Sequence, residues 1–114
     1  MIFIGDKISK KSQIAVGGEA ISKIRTIKAD LCILGINAID CAHGITDNDW
    51  DVVLVKKAMI EASNQTVVLS ISEKLNTHQR IRICGLNEVD VLITELNKND
   101  QQLEPFIQSG LTIL

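Results

Sequence analysis

Three short apolar runs constrain this chain more than any other feature. Residues 31–36 (LCILGI), 66–71 (TVVLSI) and 89–94 (VDVLIT) are near-continuous in apolar side chains rather than alternating. A strand with one wet face alternates apolar and polar residues, whereas a strand covered on both faces does not. Between the runs lie stretches of helical period. Residues 18–28 carry Ala20, Ile21, Ile24 and Ile27 on one stripe, with Lys23, Arg25 and Lys28 outside it. Residues 50–62 carry Val52, Val55, Met59 and Ala62 in the same way. Buried strands alternating with helices predict an α/β fold: three-layer α/β/α, Rossmann-like, with a mostly parallel sheet and helices on both faces.

The remaining segments fill in that frame. Residues 1–5 (MIFIG) read as a further buried strand and residues 6–13 as a polar loop. Residues 31–36 suit a central strand. Residues 37–49 are rich in turn formers and read as a loop, with Thr46 and Asp49 at the spacing of a capping box that starts the next helix. Residues 72–80 read as a loop, Ile81, Ile83 and Leu86 as a short apolar stretch, and 100–108 as a helix whose interior Pro105 limits unless it sits in the first turn. Gly110 ends that helix, and 111–114 form a last strand. At 114 residues the chain fits one domain, 1–114.

Composition removes several classes of function. Apolar residues make up 46% of the chain, enough for a core. Aromatics are few (Phe3, Trp50, Phe106, no Tyr), so stacking platforms for single-stranded nucleic acid are scarce. The net charge is -2, and the cluster Lys7, Lys10 and Lys11 reads as a solvated loop rather than a face for duplex DNA. Cys32, Cys41 and Cys84 include no C-x-x-C pair and read as reduced thiols of a cytoplasmic protein. No residue run has the length of a membrane span or the pattern of a secretory leader.

In a parallel α/β sheet, ligands bind outside the carboxyl ends of the strands. Those ends fall at residues 36–44, 70–74 and 94–96. Around the first, Gly35, Asn37, Asp40, Gly44 and Thr46 sit between a strand and a helix start, where exposed N–H groups favour an anion. A tight turn with an N-cap accounts for the same residues equally well. Asp47, Asp49 and Asp51 would moreover satisfy the helix dipole and repel a phosphate. Lys56 and Lys57 follow on the helix and Lys74 lies just past the next strand, where an ammonium can meet a phosphate as a point charge. His43 and His78 read as separate loop residues without metal-ligand spacing, so neither a metal nor a cofactor is expected. The phosphate-loop, dinucleotide and nucleophile-elbow motifs do not occur in the sequence.

One run carries a family resemblance. The segment ADLCILGINAIDCAHGITDNDWDVVLVKKAM is similar to the C-terminal sensor domain of DeoR-type regulators. In that domain a strand ending in Gly precedes a Gly-[Leu/Ile]-Thr turn and a helix with Val-Lys-[Lys/Arg]-Ala-Met. VVLSISEKL fits the family's next strand and its lysine loop, VDVLITEL resembles its Asp-x-[Ile/Val]-Ile-Thr-Asp strand, and SGLTIL its closing strand. The opening MIFIGDKISKKSQIAVGGEA is similar to a strand and Gly-containing loop midway through that domain. On this resemblance the chain is part of an effector-sensing domain, without the winged helix-turn-helix and first βα unit that precede it in the family.

The resemblance implies a sugar-phosphate effector, held by Gly35, Asn37, Asp40, Gly44, Thr46, Lys56 and Lys74, a homo-oligomeric regulator of sugar metabolism, most simply a repressor, and DNA contact through a separate N-terminal domain. The same fold occurs in ribose-5-phosphate isomerase A and glucosamine-6-phosphate deaminase. Against the isomerase pattern, Asn37 stands in place of a carboxylate, Lys56 in place of the catalytic Glu and Ile71 in place of the Asp of the lysine loop, while Asp40 and Lys74 are retained. Moving a carbon-bound proton needs a base that an amide cannot be. The resemblance therefore implies a binder rather than an enzyme. A small sugar-phosphate isomerase and a purely oligomerising module are the competing readings.

Overall fold

A computed structural model describes residues 7–8 and 15–114. Its centre is a four-stranded parallel sheet. Strand β1 (Lys7–Ile8) pairs antiparallel with β2 (Ala15–Val16), and helix α1 (Gly18–Arg25) follows. Then come β3 (Ala29–Gly35), a hairpin of β4 (Ala38–Asp40) and β5 (Gly44–Asp47), and helix α2 (Trp50–Glu61). Strand β6 (Ser63–Leu69) leads through a 3-10 turn at Ser72–Lys74 to β7 (Ile81–Cys84). Strand β8 (Val91–Ile93), α3 (Glu104–Gln108) and β9 (Thr112–Ile113) complete the chain. The main sheet has the order β3-β6-β8-β9, all parallel, and β4-β5-β7 form a separate antiparallel sheet.

The expected α/β, Rossmann-like architecture with a mostly parallel sheet is the one observed. Burial explains how it holds. Cys32 and Leu34 of β3, Val68 of β6 and Leu92 of β8 point to one face. There they meet Val53 of α2 and Phe106 of α3, with Ile39 and Ile45 of the hairpin closing the same core. Phe106, Ile39, Ile45 and Leu92 are fully buried, each at roughly 1.5–3 kcal/mol of transfer free energy. A second, smaller cluster packs Val52 and Val55 of α2 on Ile21 and Ile24 of α1. The helix expected over 100–108 is a 3-10 turn at Gln101–Leu103 followed by α3, which starts late enough to put Pro105 in its first turn, and Gly110 (φ 92°) adopts the left-handed conformation that ends it.

Four expectations need correction. First, residues 37–49 are not a loop: they hold the β4–β5 hairpin, whose strands are too short and too polar at their ends to show a period of two. Second, Thr46 caps no helix. It is buried in β5 with its hydroxyl accepting from the Gln79 N–H at 2.7 Å, and Asp49 is the cap of α2, accepting from the N–H groups of Asp51 and Val52. Third, β3 is not central. Among the described residues it is one of two edge strands, and its alternate side chains Leu31 (48% exposed) and Ile33 (56% exposed) are uncovered, like Leu69 and Ile93 on β6 and β8. Fourth, the presumed loop at 6–13 includes the β1 pairing of Lys7 and Ile8. The strand expected at 1–5 lies outside the described residues.

Thiol chemistry gives a direct check on this core. Cys32 and Cys84 are buried, and burial, aided by the charge of Glu88, pushes the Cys84 thiol up to about 11. At pH 8 its thiolate fraction is then on the order of one in a thousand. Burial also raises Cys32, and both burial and Asp40 raise Cys41, but Cys41 is exposed. A thiol reagent at pH 8 should therefore label one cysteine of the native chain, Cys41, and the other two only on unfolding. Equal labelling of all three without denaturant would contradict the packing described.

Candidate functional site

The carboxyl ends of β3, β6 and β8 lie side by side, because register aligns Gly35 with Leu69 and Leu69 with Ile93. Polar groups gather there. At the end of β3, a cavity of about 500 Å³ is lined by Gly35, Asn37, Asp47 and Lys56 together with apolar side chains, among them Ile33, Val52 and Met59. Lys56, on the inner side of α2, is buried and donates from Nζ to the Gly35 carbonyl at 2.7 Å. Burial lowers its pKa from the ordinary 10.5, and the nearby Asp47 carboxylate opposes that shift.

Asp47 is the group that the sequence did not single out for this place. It is buried, and both of its oxygens are engaged. Oδ2 accepts from the Asn37 side-chain amide at 2.8 Å, and Oδ1 accepts from the backbone N–H groups of Asn48 (2.7 Å) and Asp49 (3.2 Å). A buried carboxylate needs such donors and a nearby cation. Asn37 supplies one donor and Lys56 the cation. The amide at position 37 is thus required by Asp47, since a carboxylate there would face a second one.

At the next strand ends, the Ser72 N–H donates to the Glu95 carboxylate (2.8 Å), which also accepts from the Thr94 hydroxyl (2.9 Å). These hydrogen bonds hold the Glu95 carboxyl below its usual range. Ser70 is tied to β8 by its N–H on the Ile93 carbonyl. Lys74 ends the 3-10 turn beyond β6, half-buried, and is not part of the lining of the Gly35 cavity.

The residues singled out from sequence therefore divide. Gly35, Asn37 and Lys56 converge, with Asp47, on one cavity. Thr46 and Gly44 serve the hairpin: Gly44 has φ +73°, and a Cβ there would run into the carbonyl oxygen of Cys84 and the Cα of Gly85. Asp40 lies at the far end of β4, paired with Gly44 across the hairpin, away from Asn37. Instead of a sugar-binding neighbour it meets His43 and His78. His43 Nδ1 is 2.9 Å and His78 Nδ1 3.6 Å from the same carboxylate oxygen, and the two rings stack at 4.3 Å. Burial would raise the Asp40 carboxyl, but the hydrogen bonds from His43 and the charges of both histidines outweigh it and hold it below its ordinary value of 3.8. Sequence separation hid this cluster. A parallel bridge between Ile39 and Leu75 is what brings the two loops together.

Comparison with known proteins points in one direction. The family model described as "DeoR C terminal sensor domain" matches residues 1–96. The HTH-type transcriptional repressor GlcR of Bacillus subtilis is 28% identical over 111 residues, covering 97% of this chain and 43% of that protein. The HTH-type transcriptional regulator GlpR of Haloferax volcanii is 26% identical over 110 residues, covering 96% of this chain and 43% of its own length. The glycerol-3-phosphate regulon repressor of Haemophilus influenzae is 34% identical over 79 residues, covering 69% of the chain and 31% of that protein. The chain thus spans less than half the length of these curated relatives.

The Asp47 pocket yields a test of its own. Asn37→Asp places a second carboxylate beside Asp47, and should cost about 1–3 kcal/mol at pH 7. Two adjacent carboxylates raise a folded-state pKa. The deficit should then be largest at neutral pH and should fade as pH falls towards the unfolded value near 4, where both states carry the proton. Thermal melts of the variant and the parent chain from pH 7 to pH 4 read this directly. A deficit that is independent of pH would show that Asn37 and Asp47 are not coupled.

Proposed function

Because this chain belongs to the family of DeoR C-terminal sensor domains, we propose that it is the effector-sensing part of a transcriptional repressor of sugar metabolism and that its effector is a phosphorylated sugar or polyol. The effector lies across the carboxyl ends of β3 and β6. Gly35, Asn37 and Lys56 contact its body, and Lys74 meets its phosphate from the turn beyond β6. DNA contact belongs to another unit of the regulator, in keeping with this chain's net charge of -2. The exposed Leu31, Ile33, Leu69 and Ile93 support self-association of the same unit.

One observation carries the reading: the cavity keeps groups that bind and has no free base. Isomerisation of a sugar phosphate needs a carboxylate open to a carbon-bound proton. The carboxylate in this cavity, Asp47, has both oxygens committed to donors within the fold. Lys56 donates to the Gly35 carbonyl. Binding without turnover is what a sensor requires, and a ligand that prefers one of two states shifts their populations by its difference in affinity.

The name of the Haemophilus influenzae relative makes glycerol 3-phosphate the first compound to try. A ligand that binds only the folded chain at a hundred times its Kd adds about 2.7 kcal/mol of stability. Thermal melts with glycerol 3-phosphate and ribose 5-phosphate, set against glycerol and ribose, should show a rise of several degrees for a phosphorylated compound alone. Lys74→Ala should reduce that rise and, in the full-length regulator, blunt the response to effector. An unchanged response in Lys74→Ala would remove that lysine from the site, and clear isomerase turnover by the chain would overturn the reading as a whole.

A further inference from the structure

From the cluster of Asp40, His43 and His78 we infer a second site, independent of the effector crevice: a surface site for a divalent transition-metal ion of the zinc type. One ligand atom from each residue lies within 4.8 Å of the other two. A zinc ion bonds such atoms at about 2.0–2.2 Å, which sets neighbouring ligands roughly 3.4 Å apart in a tetrahedron. The two contacts to Asp40 Oδ2, 2.9 Å from His43 Nδ1 and 3.6 Å from His78 Nδ1, bracket that spacing. Binding would turn the two stacked imidazoles apart to admit the ion between them and Asp40.

The backbones that carry the three ligands are already fixed. Asp40 closes β4, and its Oδ1 accepts the His43 N–H at 2.5 Å, which holds the turn in shape. His78 is pinned on both sides: the Thr77 N–H donates to the Ile39 carbonyl at 3.2 Å and the Gln79 N–H to the Thr46 hydroxyl at 2.7 Å. Ordering these loops is therefore part of folding rather than a cost met on binding. Both imidazoles are half-exposed, at 51% and 60%, and Asp40 lies beneath them at 17%, so an ion would have an entry path and open positions on the solvent side.

The donor set selects the class of ion. Two imidazole nitrogens and one carboxylate oxygen suit zinc, nickel, copper or cobalt. Magnesium and calcium prefer a shell of oxygens and gain little from imidazole. Bound there, the ion would join the β4–β5 hairpin to the loop after β6 and replace the negative charge of Asp40 with a net positive one. Its open positions would take water or an oxygen of an anion.

The test is calorimetric titration of the tag-free full chain with zinc chloride, and with magnesium chloride as the contrast. One zinc ion should bind per chain, with no binding of magnesium. His43→Ala and His78→Ala should each weaken zinc at least tenfold, while Cys41→Ser, beside Asp40 but outside the ligand set, should bind zinc as the parent does. Circular dichroism establishes that each variant is folded, and His78→Gln replaces His78→Ala if the latter is not. Cobalt absorption gives a second readout, in which the parent should show ligand-field bands that both histidine variants lose. Zinc affinity unchanged in both histidine variants, no zinc binding by the parent, or a loss confined to Cys41→Ser would each overturn the site.

Discussion

The parallel pairing of β3 with β6 decides where every other part of this chain can go. Six registered pairs run from Ala29 with Ser63 to Gly35 with Leu69. Parallel neighbours cannot be joined by a tight turn, so the chain must cross over, and α2 makes that crossing. The crossing lays Val53 against Val68 and Leu34 and brings Lys56 down onto the Gly35 carbonyl. Because both strands point the same way, their carboxyl ends finish together. The cavity at Gly35 is thus set in place by the sheet's direction. The β4–β5 hairpin, inserted between β3 and α2, adds the one wall that a plain βαβ unit lacks.

Charge compensation then sets the chemistry of that wall. Asp47 is buried at the end of the hairpin, and the fold meets the cost with the Asn37 amide, two backbone N–H groups and the ammonium of Lys56. These interactions consume the valence that a catalytic carboxylate would need. The same arrangement that stabilises the hairpin gives both Asp47 oxygens donors within the fold. The resemblance to the isomerase pattern, with Asn37 and Lys56 in place of carboxylates, has in Asp47 a physical partner: the amide and the ammonium are both there for it.

Much of the architecture was legible from side-chain period alone. The apolar runs at 31–36, 66–71 and 89–94 became β3, β6 and β8, and the stripe of Val52, Val55 and Met59 became the face of α2 that packs on α1. Apolar runs do not tell an edge from a centre, which is why Leu31 and Ile33 were expected inside and are exposed. The hairpin was hidden because β4 has three residues, Ala38–Asp40, and Asn37 before it and Asp40 at its end look like turn formers. Asp47 was assigned to the helix dipole because three acids in alternate positions suggest a helix start. Only the strand conformation of Gly44–Asp47 turns its side chain inward. The pairing of His43 with His78 has no local signal at all, since it depends on the bridge between Ile39 and Leu75.

The proposed seat of the phosphorylated ligand is the joint carboxyl ends of β3 and β6. Backbone amide shifts of the isotopically labelled chain, followed by nuclear magnetic resonance as glycerol 3-phosphate is added, test it most directly. The amides of Gly35, Asn37, Ser72 and Lys74 should move together along one binding curve, while those of Ala29 and Leu31 towards the other end of β3 stay still, and glycerol should move none of them. Shifts confined to Ala29, Leu31 and the neighbouring apolar face, with Gly35 and Ser72 unmoved, would contradict it.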